Sequence, residues 1–172
     1  MQDDSARSAE SSAIPPPPGV IIRRAERRDA PVLTAFIRAV GLFRRIESET
    51  PGETLAHLSR NLDLALADAS HSVYLVEDGA GTLAGYISVH WLPYLILAGP
   101  EGFISELFIG ADARGKGIGT RLLAEVVAEA RARGCSRLQL LNFRDRESYQ
   151  RGFYSRLGWE ERPDAANFVL TL

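Results

Sequence analysis

The densest chemical signal in the chain is Arg114-Gly115-Lys116-Gly117-Ile118-Gly119-Thr120. Alternating glycines let a backbone come close to a ligand. An apolar helical pattern starts at Ile118, so free N–H groups and the positive end of a helix dipole face whatever the loop holds. The expected occupant is a phosphate-bearing ligand. Two familiar phosphate loops fail on spacing. A nucleotide P-loop aligns from Gly110 through Lys116, but Gly117 then stands where a Ser or Thr hydroxyl would hold magnesium. A dinucleotide fingerprint starting at Gly115 and Gly117 needs its last glycine where Thr120 stands. A turn without a ligand is the bland alternative, and three glycines within five residues cost it chain entropy.

The elements that must carry this loop follow from periodicity. Gly19 to Arg24 reads as a short strand, and Asp29 with Pro31 marks a helix running to about Val40. Thr50-Pro51-Gly52-Glu53 is a capping box with Pro at the first helical position, followed by Leu55, Leu58, Leu62 and Leu66 at helical spacing. Ser72 to Val76 and Leu83 to Trp91 form a hairpin around Asp78 to Gly81, and Gly102 to Ile109 is a strand leading into the glycine loop. The helix after the loop buries Ile118, Leu122, Leu123, Val126, Val127 and Ala130 and stops at Gly134. Then come a strand over Arg137 to Phe143, a helix over Asp145 to Leu157, and a strand over Asn167 to Thr171, with a short extra strand at Trp159 to Arg162 as an option. The order β-α-α-β-β-β-α-β-α-β predicts an α/β fold with a mixed, mostly antiparallel central sheet flanked by helices.

Bulk properties narrow the functional classes. The 172 residues, 45% of them hydrophobic, suit one folded domain, here residues 19–172 after a Ser-, Ala- and Pro-rich tail over residues 1–18 that reads as disordered. Twenty basic against 22 acidic side chains leave no footprint for nucleic acid. Arginine supplies nearly all the positive charge, a bias more simply read as codon usage than as an anion-binding surface. The single cysteine, Cys135, gives no disulfide framework and no thiolate cluster for a metal, and reads as a structural thiol. No apolar run nears the roughly 18 residues of a membrane span, and no secretory leader is visible, so the expectation is a soluble cytoplasmic protein.

With these elements in place, the chain resembles the GNAT family of N-acetyltransferases. The family's acetyl-CoA loop, Arg or Gln, then x-x-Gly-x-Gly or Ala, directly follows a strand and opens a helix; Arg114, Gly117 and Gly119 match it. A second match is Phe153-Tyr154 followed by Leu157-Gly158-Trp159, the family's Tyr-bearing helix and Gly-aromatic pair. The resemblance implies that the backbone of Leu107, Phe108 and Ile109 bonds the pantetheine of acetyl-CoA. It implies that Arg114, Gly115, Lys116, Gly117, Ile118, Gly119 and Thr120 cradle the pyrophosphate, and that a side chain at Gly117 or Gly119 would intrude on the phosphates. Acetyl-CoA is then a cosubstrate, and no metal is expected.

The reaction so implied is direct attack of a primary amine on the thioester in a ternary complex. The resemblance gives Tyr154 the role of acid toward the leaving thiolate. Where some relatives carry a Glu twelve residues before this Tyr, the chain has Asn142, which accepts no proton. Glu106 is the best remaining base, with His90 or a water chain as alternatives, and its bland reading is an ion pair with an arginine. His57 and His71 read as surface residues. The acceptor is expected to be a small-molecule amine, near Phe43, Arg44, Arg45 and Glu47 and near Trp91 to Leu95, an apolar run that would alternatively seal a homodimer. Glu47, Glu49 and Glu101 are the carboxylates available to a cationic acceptor. A non-catalytic acyl-CoA-binding regulatory domain and acetylation of a protein or peptide amine stay open as alternatives.

Overall fold

Alternating apolar side chains decide the sheet. In β2 (His71–Glu77), Val73 and Leu75 face one side while Tyr74 and Val76 face the other, so both faces need cover. A computed structural model describes residues 19–171, and the tail expected over residues 1–18 lies outside the described residues. Strands β1 (Ile21–Arg24), β2, β3 (Leu83–Leu92) and β4 (Glu101–Ile109) are antiparallel in chain order, and β5 (Arg137–Leu140) adds to β4 in parallel. Asp78 closes the β2–β3 turn, its Oδ1 accepting from the amides of Ala80 and Thr82 at 2.9 Å each.

Helices cover both faces. On one, α1 (Ala30–Val40) and α3 (Pro51–Ala65) set Leu33, Phe36 and Leu62 against Val73, Leu75 and Tyr86. On the other, α4 (Ile118–Ala132) sets Leu122, Leu123 and Val126 against Val76, Ile87, Val89 and Ile104. Leu122 and Val126 are wholly buried, so α4, and the loop at its start, is held by a core in which one Leu→Ala change costs about 2–5 kcal/mol. The capping box forms as the sequence indicates, Thr50 Oγ1 accepting from the Glu53 amide while the Glu53 carboxylate accepts from the Thr50 amide. Asp29 behaves differently: it does not cap α1 with its side chain but accepts from Arg23 at 2.7 Å through both oxygens and from the Glu26 amide.

The mixed, mostly antiparallel sheet flanked by helices is as expected, and the departures cluster at its C-terminal end. A short helix, α2 (Arg44–Ser48), appears where no periodicity announces it. The helix expected over Asp145 to Leu157 is one turn, α5 (Glu147–Gln150), followed by a 3-10 turn at Ser155–Leu157, because Gly152 takes φ +61° and breaks the run. The strand expected to reach Phe143 stops at Leu140, where its partner β4 turns away. Neither Trp159 to Arg162 nor Asn167 to Thr171 forms a strand; their β-forming composition meets no neighbouring strand within the described chain.

Candidate active site

The site begins with a defect in β4. Ser88 pairs with Glu106 and Val89 with Ile104, so Ser105 is an extra residue, a β-bulge that bends the strand. On its other side β4 pairs with β5 from Glu101 and Arg137 only as far as Ile104 and Leu140. From Ser105 to Ile109 the two strands diverge, leaving one edge of β4 without a strand partner. A cleft of about 650 Å³ fills the gap, walled by Glu106, Leu107, Phe108 and Ile109 on one side and by Leu141, Asn142 and Phe143 on the other.

The glycine loop closes one end of this cleft. Gly115 and Gly117 both adopt φ +74°, where an L side chain is strained, and a Cβ at either would project into open space. Gly117 caps α4 without any side-chain hydrogen bond, so the amides of the first turn at Ile118, Gly119 and Thr120 open on the cleft. Gly119 has a further reason to be glycine within the protein itself. A Cβ there would meet the Phe153 ring at 3.3 Å and Ile109 at 3.7 Å, so close aromatic packing restricts the position. Arg114 lines the cleft, its Nε donating to the Ile109 carbonyl at 3.3 Å, while Lys116 is exposed and outside the cleft wall.

Glu106 and Tyr154 both line this space. Glu106 is open to the cleft but hemmed in by protein, and that desolvation pushes its carboxyl above the usual range, with the Tyr86 hydroxyl pulling the other way. Tyr86 is buried, and burial plus the neighbouring Glu106 charge keep its hydroxyl protonated. Burial pushes the Tyr154 hydroxyl up to about 12 against a smaller opposing effect of Arg151. Phe153 at 4.9 Å and Trp159 at 5.9 Å fix the Tyr154 ring edge-on. Asn142 accepts a 2.9 Å hydrogen bond from the Ser148 hydroxyl.

Other expected residues lie elsewhere. His90 sits behind the wall, its Nε2 3.0 Å from the Ser105 hydroxyl and its ring 4.3 Å from that of His71; burial and His71 push its pKa down. His71 and His57 are half-buried rather than on the surface, His57 lying 3.0 Å from Glu49. Glu101 is fully buried against Arg137, and Glu49 is held by Arg45, Thr54 and His57, so neither is free for an acceptor. Glu47 borders a smaller cavity of about 270 Å³ with Arg38, and Phe43 lines both cavities. Trp91 is core, donating to Ser72 at 2.9 Å, and Leu92 to Leu95 stand off the cleft. Their end of the β3–β4 hairpin, where Leu92 pairs with Glu101, is about 17 Å along the strand from Glu106. Cys135 is half-buried on the core, and burial raises its thiol pKa.

Three cleft residues have no counterpart in the sequence reading: Arg146, Arg151 and Arg156 line the mouth together with Arg114. Glu147, 3.6 Å from Arg114, and Glu106 also line the cleft, so four arginines against two carboxylates leave it positive although the chain as a whole carries net charge −2. With the open α4 amides, it suits a polyanion such as the pyrophosphate of acetyl-CoA. Among the described residues no cluster of three or more His, Cys, Asp or Glu could hold a metal ion, and no helix is long and apolar enough to cross a membrane.

The chain is similar to several known proteins. The chain is 31% identical over 126 residues to glucosamine 6-phosphate N-acetyltransferase 1 of Oryza sativa subsp. japonica, covering 72% of this chain and 73% of that one. It is 32% identical over 145 residues to an L-methionine sulfoximine/L-methionine sulfone acetyltransferase of Pseudomonas paraeruginosa, covering 81% and 79%. Its fold is similar to the crystal structure of a transcriptional regulator from Bacillus halodurans, with TM-score 0.75 at 22% identity over 89% of this chain and 99% of that one. Residues 38–159 match the acetyltransferase (GNAT) family, and the splayed β4, the glycine loop and the element order agree with it: the chain belongs to the GNAT family of acetyl-CoA-dependent N-acetyltransferases.

Proposed function

We propose that the chain transfers the acetyl group of acetyl-CoA to the primary amine of a small molecule, with Glu106 as base and Tyr154 as acid. The observation that carries this reading is the joining of three features in one cleft: the unpaired edge of β4, the open amides of α4, and two titratable side chains, a carboxyl raised above its usual range and a tyrosine held protonated. Acetyl-CoA supplies an activated acyl group whose carbonyl carbon is open to attack. Backbone groups of Leu107 to Ile109 hold the pantetheine arm along the β4 edge that β5 leaves open, and Gly115, Gly117 and the first turn of α4 hold the phosphates.

An amine is protonated at neutral pH and must lose a proton before its nitrogen lone pair can attack. A carboxyl raised above the usual range is a better match to that task than an ordinary Glu, and Glu106 accepts the proton directly or through a water. As the new C–N bond forms, the C–S bond breaks and the sulfur needs a proton. With its pKa near 12, Tyr154 is fully protonated at neutral pH and acts as the donor rather than as a base. The nitrogen gives up two protons in all, one to Glu106 before attack and one as the tetrahedral adduct collapses; one equivalent restores Tyr154 after it protonates the sulfur, and the other leaves to solvent.

The names of the two sequence relatives support a small-molecule acceptor, since each denotes a compound of that size. Phe43, shared by the main cleft and the smaller cavity beside Arg38 and Glu47, supports an acceptor whose body lies on the α1–α2 side. Thiol release from acetyl-CoA, followed across a panel of amino sugars, amino acids, polyamines and peptide amines, tests the reading. Turnover is expected with a small amine and not with peptides; turnover confined to peptide amines would overturn the choice of acceptor.

A further inference from the structure

The segment that walls the cleft on the α1–α2 side has little of its own to hold it. After α1 ends at Gly41, Leu42 and Phe43 line the cleft and lead into α2, a five-residue helix with no buried residue and too short to be stable alone. Ile46 is its one apolar side chain, and it is half-buried. The smaller cavity of about 270 Å³, lined by Ile37, Gly41, Phe43 and Ile46, interrupts the packing of α2 on α1. One guanidinium ties the segment down. Arg38 Nη1 donates to the carbonyls of Ile46 at 3.1 Å and Glu49 at 2.9 Å, and to the hydroxyl of Thr54 at 3.0 Å. Thr54 is wholly buried in α3, and its hydroxyl lies 3.1 Å from Glu49 Oε2. A single half-buried side chain thus joins α1, α2 and α3. Among the described residues no other hydrogen bond runs from α1 to residues 44–49. All three acceptors are neutral, so these bonds to a cation are strong, and losing them leaves part-buried carbonyls short of a donor.

We infer that Arg38 is a positioning residue for the amine acceptor: it fixes α2, and through α2 the Phe43 ring that walls the cleft. Arg38 itself stands outside the wall of the main cleft, so it acts through what it holds. Phe43 meets the Phe108 ring edge-on at 5.2 Å, and Phe108 lies two residues beyond Glu106 on β4. A shift of α2 therefore reaches the space beside Glu106. The glycine loop and the first turn of α4 make no hydrogen bond to this clamp, so acetyl-CoA binding is insulated from it. The inference rests on the acceptor lying on the α1–α2 side.

The clamp and its consequence are measured separately. Arg38→Met keeps the apolar stem and removes the donors. The amides of Glu47 and Glu49, which bond to Phe43 and Ile46, should then exchange about 10-fold faster or more, while α4 amides keep their protection. The KM for the productive amine should rise by a similar factor, with kcat and the Kd for acetyl-CoA within about twofold of the parent. Arg38→Lys keeps the charge without the planar fork and should fall between the two; it carries the same comparison if the Met variant does not fold. In a Phe43→Ala background Arg38→Met should add little to KM, because the ring it positions is gone. Unchanged exchange at Glu47 and Glu49 would overturn the clamp. Faster exchange with an unchanged amine KM, or a full further loss on top of Phe43→Ala, would overturn its role toward the acceptor. Exchange needs no turnover, so a parent chain that acetylates no small amine would refute the acceptor class proposed above while exchange still decides the clamp.

Discussion

Replacing Gly117 with alanine isolates what the glycine loop contributes. A Cβ at this position meets nothing within 4 Å, so the whole effect comes from holding an L residue at φ +74°. That conformation costs about 1–2 kcal/mol, offset by about 0.4–1 kcal/mol because alanine is less free than glycine in the unfolded chain. If the variant keeps the left-handed turn, stability falls by about 1 kcal/mol, roughly 2–4 °C in Tm for a chain of this size, and acetyl-CoA affinity is unchanged. If the free loop relaxes out of that turn, stability is preserved and binding must restore it, weakening Kd by about 5- to 30-fold for the 1–2 kcal/mol of strain. The two losses, measured by thermal unfolding and by calorimetric titration with acetyl-CoA, therefore trade against one another. Gly119→Ala should behave differently, because its Cβ presses on Phe153, which packs on Tyr154. There the loss is expected in kcat more than in Kd. A Gly117→Ala variant with Tm and Kd both unchanged would refute the requirement for the left-handed turn.

Tyr154→Phe is expected to lower kcat by about 100-fold or more, with cofactor affinity nearly unchanged, since a positioned acid contributes at least that much. Glu106→Gln should lower kcat/KM and remove the acid limb of its pH profile; in the parent chain that limb should lie above the ordinary carboxylate range because burial raises this group. Asp29→Asn breaks the pair with Arg23, and since Arg23 is partly solvated and keeps Glu77, the loss in urea unfolding is expected near ~2 kcal/mol rather than the 3–5 kcal/mol of a fully buried pair. Arg23 holds the Asp29 carboxyl below its usual value, so its contribution is complete above the unfolded-state pKa and disappears as pH falls through the folded one. Below that point the parent and Asp29→Asn chains should converge in stability.

What was legible in the sequence is what local chemistry determines. The capping box at Thr50, the hairpin at Asp78, the apolar face of α4 and the stop at Gly134 all rest on residues a few positions apart, and each appears where expected. The C-terminal end is not legible in the same way because strands need a neighbour, and β-forming residues such as Phe168 to Leu170 carry no information about whether one is within reach. The cleft itself depends on the bulge at Ser105, which no residue type announces. Arg146, Arg151 and Arg156 were hidden for another reason: in a chain whose basic residues are nearly all arginine, three more stand out only once α5 and the turns after it bring them to one mouth. Glu101 and Glu49 show the converse, carboxylates that look available in sequence and are engaged in the fold.

The most direct test is single-turnover mixing of the protein with acetyl-CoA and a productive small amine, following free thiol and acetylated amine together. Equal amounts of both products, lost in step when Tyr154 and Glu106 are replaced, are the expected result. Acetyl-CoA bound in the cleft with no acetylated amine formed from any acceptor would contradict the account.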